Sequence, residues 1–295
     1  MNQVNDSAPQ FEAPAKTCAA RIGTSPENNA ADSSFNRGGP SCRVVLLGAS
    51  NLTRGISTVV ETSQNFRRQP LEILTAAGHG RSYGIETRVF GRTLPSILDC
   101  SLWEALARPA TIPTVALITD IGNDVLYGVE VPQIVCWVEC VIQRLEQVQA
   151  QICMTSLPPI DGASLSPARF YFFRTLFFPG CRLNWETALD RAQQLHARLH
   201  KLGTARKITL VEQRRHWYGW DPIHIHLRHR PHAWHNILST WNDQDSPSAA
   251  LARGSLRRWL YLQTRRPQQR TFWGLRQRCQ QPAAKLADGT TISFY

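Results

Sequence analysis

A chain of 295 residues with 42% hydrophobic content can bury a sizeable core, which excludes a wholly disordered protein and favours one main domain with appendages. The net charge of +11 suits an anionic partner or substrate without choosing between them. No stretch approaches the roughly 20 apolar residues of a membrane span, and the first 40 residues hold no apolar signal core, so a soluble, cytoplasmic protein is expected.

Residues 1 to 41 are rich in Asn, Ser, Pro, Ala and Gly and carry no apolar period, which predicts a disordered leader. From Cys42 short apolar runs alternate with longer amphipathic ones. Strands are predicted near Val44 to Leu47, Leu71 to Ala76, Thr114 to Thr119, Ile152 to Ser156 and Ile208 to Glu212. Helices are predicted over Gly55 to Phe66, Pro95 to Leu106, Pro132 to Gln149, Asn184 to Leu202 and Pro231 to Trp241. This alternation implies an α/β domain over residues 42 to 242, with a parallel sheet of about five strands and helices on both faces. The aromatic run Tyr171, Phe172, Phe173, Phe177 and Phe178, with Arg174 among them, reads as a buried helix in preference to a lid or pocket lining. Beyond Asn242 a polar linker leads into a basic C-terminal extension, residues 243 to 295, whose Asp288-Gly289 turn predicts a terminal β-hairpin.

Most of the eight cysteines lie in apolar runs and none forms a Cys-x-x-Cys pair, the pattern of core thiols in a reducing compartment. Six of the nine histidines fall between His216 and His235, without a clustered acid or thiol, so they predict no metal centre. His196 and His200, at helical i, i+4 spacing but without a His-Glu-x-x-His pattern, are expected to be solvated.

Chemistry is expected at the carboxyl ends of the strands, where ligands of open α/β sheets lie. The first strand ends in Gly48-Ala49-Ser50-Asn51, and the second in Gly78-His79-Gly80. Beyond the third stands Ile121-Gly122-Asn123-Asp124, and beyond the fifth Trp217-Tyr218-Gly219-Trp220-Asp221-Pro222-Ile223-His224. Serine becomes a useful nucleophile only when a base takes its proton, and a carboxylate can orient that base.

Ser50, a glycine turn, Asn123 and a late Asp-x-x-His in this order resemble the SGNH, or GDSL-type, hydrolase superfamily over roughly Arg43 to Trp241. The resemblance implies a flavodoxin-like α/β/α sandwich, with Ser50 as nucleophile, His224 as base and Asp221 as its acid. It implies an oxyanion hole made by the Ser50 N–H, Asn123 and either Gly78 or Gly80, Gly78 being preferred. The aspartate of the Gly-Asp-Ser-Leu box is absent, since Ala49 holds its place. Asn51, Trp217 and Tyr218 are expected to contact the substrate. The implied reaction is cleavage of an ester, thioester or O-acetyl group of a small molecule or glycan through an acyl-enzyme, with no metal or organic cofactor required.

Two alternatives accompany this reading. One is an acyltransferase using the same triad. The other is an inactive fold that binds nucleic acid or another polyanion through the arginines between Arg253 and Arg278, which are interleaved with Trp259, Tyr261, Phe272 and Trp273. A solvated tail packing those aromatics on the main domain is the preferred account of that segment.

Overall fold

Val44, Val45, Leu46 and Leu47 are all completely buried, so the strand they form must be covered on both faces. The computed structural model describes residues 39–159, 165–242 and 250–295. The strands are β1 (Cys42–Leu47), β2 (Leu71–Ala76), β3 (Thr87–Val89), β4 (Arg92–Leu94), β5 (Thr114–Ile118), β6 (Gln151–Thr155), β7 (Thr209–Val211), β8 (Gln269–Phe272), β9 (Leu275–Arg278), β10 (Ala284–Lys285) and β11 (Thr291–Phe294). The α-helices are α1 (Ser50–Phe66), α2 (Leu102–Leu106), α3 (Asn123–Leu126), α4 (Val131–Glu146), α5 (Pro167–Phe177), α6 (Trp185–Ala205), α7 (Arg230–Leu238) and α8 (Leu256–Gln263).

The main sheet has the order β10-β11-β2-β1-β5-β6-β7, parallel except for the β10/β11 pair. Alternating residues of β1 serve opposite layers. Val44 and Leu46 pack with Leu52, Ile56 and Val59 of α1 and Trp234 of α7, whereas Val45 and Leu47 pack with Ile134, Val138 and Val141 of α4. The result is the expected three-layer α/β/α sandwich. Because β2 and β5 flank β1 on opposite sides, the chain reverses direction across the sheet between β1 and β5, which opens a crevice at their carboxyl ends. No helix among the described residues is long and apolar enough to cross a membrane.

Two expectations change. The helix expected over Pro95 to Leu106 shrinks to α2, because the N–H groups of Ile97 and Leu98 bond the carbonyls of Ser82 and Tyr83 instead of continuing a helix. The boundary expected at residue 242 gives way as well. The segment read as a separate extension pairs β11 with β2 in the main sheet and β8 with β4 in a second, four-stranded sheet of order β3-β4-β8-β9. The physical reason is edge protection: Leu71 and Ile73 of β2 are fully buried, and Ile292 of β11 completes their cluster. The terminal hairpin itself is present as β10 and β11. The leader, up to residue 38, and most of the polar linker, residues 243–249, lie outside the described residues.

Candidate active site

β1 delivers the chain to Gly48, where a Cβ would lie 2.6 Å from Thr119 Cγ2, so only glycine lets the turn pack against the end of β5. Ala49 holds the N-cap position of α1 and has no capping side chain of its own. Asp120, just past β5, does that work. Its Oδ2 accepts the N–H groups of Ala49 at 2.8 Å, Asn51 at 3.1 Å and Leu52 at 3.3 Å, and its Oδ1 accepts the Asn51 side-chain amide at 2.9 Å. Asp120 takes a left-handed φ of 62°, a conformation that aspartate tolerates better than most side chains. Its bonds pass over the N–H of Ser50.

Ser50 and His224 are both buried, with Ser50 Oγ 2.9 Å from His224 Nε2. On the other side of the ring, His224 Nδ1 lies 2.6 Å from Asp221 Oδ2. Three-residue spacing puts Asp221 and His224 on one tight loop, where Asp221 Oδ1 also accepts the N–H groups of Ile223 at 2.9 Å and His224 at 3.2 Å. Burial works to raise the Asp221 carboxyl, but the hydrogen bond and charge of His224, with those two N–H groups, outweigh it and leave the group below the usual carboxylate range. An ionised carboxylate accepts only, so Nδ1 carries the proton and Nε2 offers its lone pair to the Ser50 hydroxyl.

Asn123 opens α3 beside this line. Its side-chain nitrogen is buried and has no hydrogen-bond partner among the described residues. Such a donor is costly to leave unused, and it is available to a ligand oxygen. Gly78 is buried beyond β2, and its carbonyl accepts the N–H of Arg81 at 3.1 Å, while Gly80 takes a φ of 65°. The loop carrying them is clamped to the Asn123 turn, since buried Asp124 accepts the Ser82 hydroxyl and, at 3.1 Å, the Tyr83 N–H. Burial pushes the Asp124 carboxyl up to about 7 against those two hydrogen bonds. His79, between the two glycines, is pushed down to about 4 by burial and by the charges of Arg92, Arg54 and His224.

No protein-family model and no curated protein matches the sequence. The chain is similar to esterases of known structure. One is the psychrotrophic esterase EstA from Pseudoalteromonas sp., with 11% identity, a TM-score of 0.43 and coverage of 67% of this chain and 97% of that one. Another is the acetyl xylan esterase AlAXEase, at 12% identity and a TM-score of 0.45 over 67% and 98% of the two chains. A member of the lipolytic G-D-S-L family from Veillonella parvula DSM 2008 shares 10% identity, with a TM-score of 0.41 over 68% of this chain and 97% of that one. All three TM-scores fall below 0.5.

Other expected site residues are placed differently. Asn51 borders the cavity beneath α5 with its polar groups already engaged, since its amide donates to Asp120 and, at 2.9 Å, to the Ile223 carbonyl, while its oxygen accepts the Ile225 N–H at 2.8 Å. It is a strut between the serine turn and the histidine loop. Trp217, only 2% exposed, belongs to the core beneath α1 and α7. Tyr218 packs against the same core and donates its hydroxyl to Gln213 Oε1. Trp220 is the aromatic of this run that reaches the surface, 65% exposed, with its ring 4.7 Å from that of Phe173 and 5.0 Å from that of Phe172.

The buried-helix reading of the aromatic run also changes. α5 buries Phe170 and Phe173 but exposes Tyr171, Phe172 and Leu176, because it roofs a cavity and has solvent on its other side. Asn123, Leu126, Leu157, Leu165, Phe170 and Phe173 line that apolar cavity, with Arg174 as its basic member. Phe177 ends the helix with its ring edge-on to His224 at 4.9 Å. Arg169 ties α5 to the segment leading into the Asp221–His224 loop through the carbonyls of Gly219 and Trp220, each at 2.6 Å. Away from this site, His200 Nε2 lies 2.6 Å from Glu212 Oε1, and His196 joins them in a group whose ligand atoms lie within 4.8 Å.

Proposed function

We propose that this protein is a serine hydrolase of the SGNH type, cleaving an ester of an apolar acid through an acyl-enzyme. The observation that carries the reading is the unbroken line from Asp221 through His224 to Ser50, with distances of 2.6 and 2.9 Å. In that reading His224 Nε2 takes the Ser50 proton as Oγ bonds to the acyl carbon, and the carbonyl π pair moves onto oxygen. In the same reading the oxyanion is held by the Ser50 N–H, the Gly78 N–H and the Asn123 amide, donors that meet charge which develops only on attack. His224 then protonates the leaving alcohol as the C–O bond breaks. Water repeats the sequence to free the acid and restore the serine.

The unpartnered Asn123 nitrogen bordering an apolar cavity supports placing the acyl group under α5, with its carbonyl toward that amide. The test is covalent labelling by a fluorophosphonate probe together with hydrolysis of p-nitrophenyl esters. Wild type is expected to label and turn over, and Ser50→Ala to do neither. Equal labelling of the two proteins would remove Ser50 from the nucleophile's role.

A further inference from the structure

The second sheet carries two turns that the hydrolytic reading does not use. Val89 pairs with Arg92 around Phe90-Gly91, and Phe272 pairs with Leu275 around Trp273-Gly274, so each hairpin closes with a two-residue loop. Both central residues of each loop have positive φ: 49° and 74° in the first, 48° and 83° in the second. That is the signature of the I′ turn, whose first position favours asparagine and penalises bulky side chains. Here Phe90 and Trp273 occupy it, and they are 92% and 70% exposed. Two large aromatics thus pay a backbone strain and a solvation penalty at once, with no contact in the core to offset either.

The two tips are neighbours. The Trp273 N–H donates to the Gly91 carbonyl at 2.9 Å, and the Trp273 ring covers Gly91. Leu275, 70% exposed, continues the apolar prow. Behind it the charge is of one sign. The strands and turns of the two hairpins, residues 87 to 94 and 269 to 278, contain Arg88, Arg92, Arg270, Arg276 and Arg278 and no carboxylate. Pairing of Arg88 with Thr93, Thr93 with Thr271, and Thr271 with Arg276 sets Arg88 and Arg276 on one face, where both are exposed.

We propose that this tip docks the protein on an anionic lipid surface. Protruding aromatics backed by arginines match the layered chemistry of such a surface, where rings enter the interfacial zone and cations meet the lipid phosphates. A nucleic acid would be met by aromatics along a groove rather than at two protruding points. The opposite face of the sheet backs on the glycine loop of the candidate site, with Val89 Cγ2 2.8 Å from where a Gly80 Cβ would stand, so docking holds that site beside the lipid.

The experiment is co-sedimentation of the full chain with vesicles of phosphatidylcholine alone or with phosphatidylserine, at several salt concentrations. Wild type is expected on the anionic vesicles, with binding that falls as salt rises. Phe90→Asn with Trp273→Asn should abolish most of it while leaving thermal stability equal or higher, because asparagine suits both turns. Arg276→Gln and Arg278→Gln should each weaken binding by about fivefold. Absence of binding, equal binding to both vesicle types, or unchanged binding by the double asparagine variant would overturn the proposal. So would retention of a polyanion such as RNA through these residues without any on vesicles.

Discussion

The Asp120 carboxylate caps the helix that begins at Ser50, although the two residues lie in different strand-to-helix turns. Its oxygens hold the N–H groups of Ala49, Asn51 and Leu52, so the serine turn is fixed by the neighbouring strand end, not by a residue of its own box. Asp120→Ala removes this cap and leaves three helix-terminal donors without it. We expect a loss of about 1–2 kcal/mol in denaturant unfolding, with a fall in kcat as the Ser50 hydroxyl loses its fixed position relative to His224. An unchanged unfolding midpoint would show that the cap contributes nothing.

Asn123 offers a contrast, because its side-chain nitrogen has no partner among the described residues. Asn123→Ala should therefore lower kcat by about 100- to 1,000-fold on p-nitrophenyl esters, the scale of one lost oxyanion donor. Thermal stability should hold or rise slightly, since an unsatisfied buried amide is removed. A variant that loses stability and keeps its kcat would contradict the assignment.

Asp124 sets a pH dependence of stability. Its folded-state pKa, about 7, stands above the ordinary aspartate value of 3.8, so between those limits the folded chain keeps a proton that the unfolded chain has released. Stability from this group is fully present below the lower value and declines as pH rises toward about 7. Asp124→Asn, which cannot titrate, should flatten the decline in a series of unfolding curves from pH 4 to pH 8. A wild-type profile that rises through this window with an identical profile for the variant would refute it.

Phe173 closes the cavity beneath α5. Phe173→Ala should enlarge this cavity and, if the acyl group lodges there as proposed, shift the preference among p-nitrophenyl esters toward longer chains, read as a falling KM for those substrates with little change for acetate. A uniform loss across all chain lengths would point instead to collapse of the roof. Some destabilisation, of about 3–5 kcal/mol for truncating a well-packed phenylalanine, is the upper bound to expect.

Much of the architecture is legible without coordinates. Five apolar runs of strand length, each followed by a helical pattern, have few readings other than a parallel sheet, and the direction of a parallel strand decides which end carries Ser50 and Asn123. The Asp221 to His224 contact is equally local, since three residues of loop close it. Edges were harder. The apolar pattern of β2 marks it as buried but does not say which strand buries it, and the partner lies more than 200 residues away in β11.

What the sequence determined by itself is therefore the set of strand ends and the chemical groups standing on them, because a run of aliphatic residues must be buried wherever the rest of the chain lies. Tertiary structure alone decided which of those groups meet. Asp120 became a cap, Asn51 a strut and Trp217 a core residue because each role depends on side chains brought together from distant turns. The same holds for Phe90 and Trp273. Each is an ordinary aromatic in its own segment, and only the pairing of β4 with β8 makes them two points of one surface.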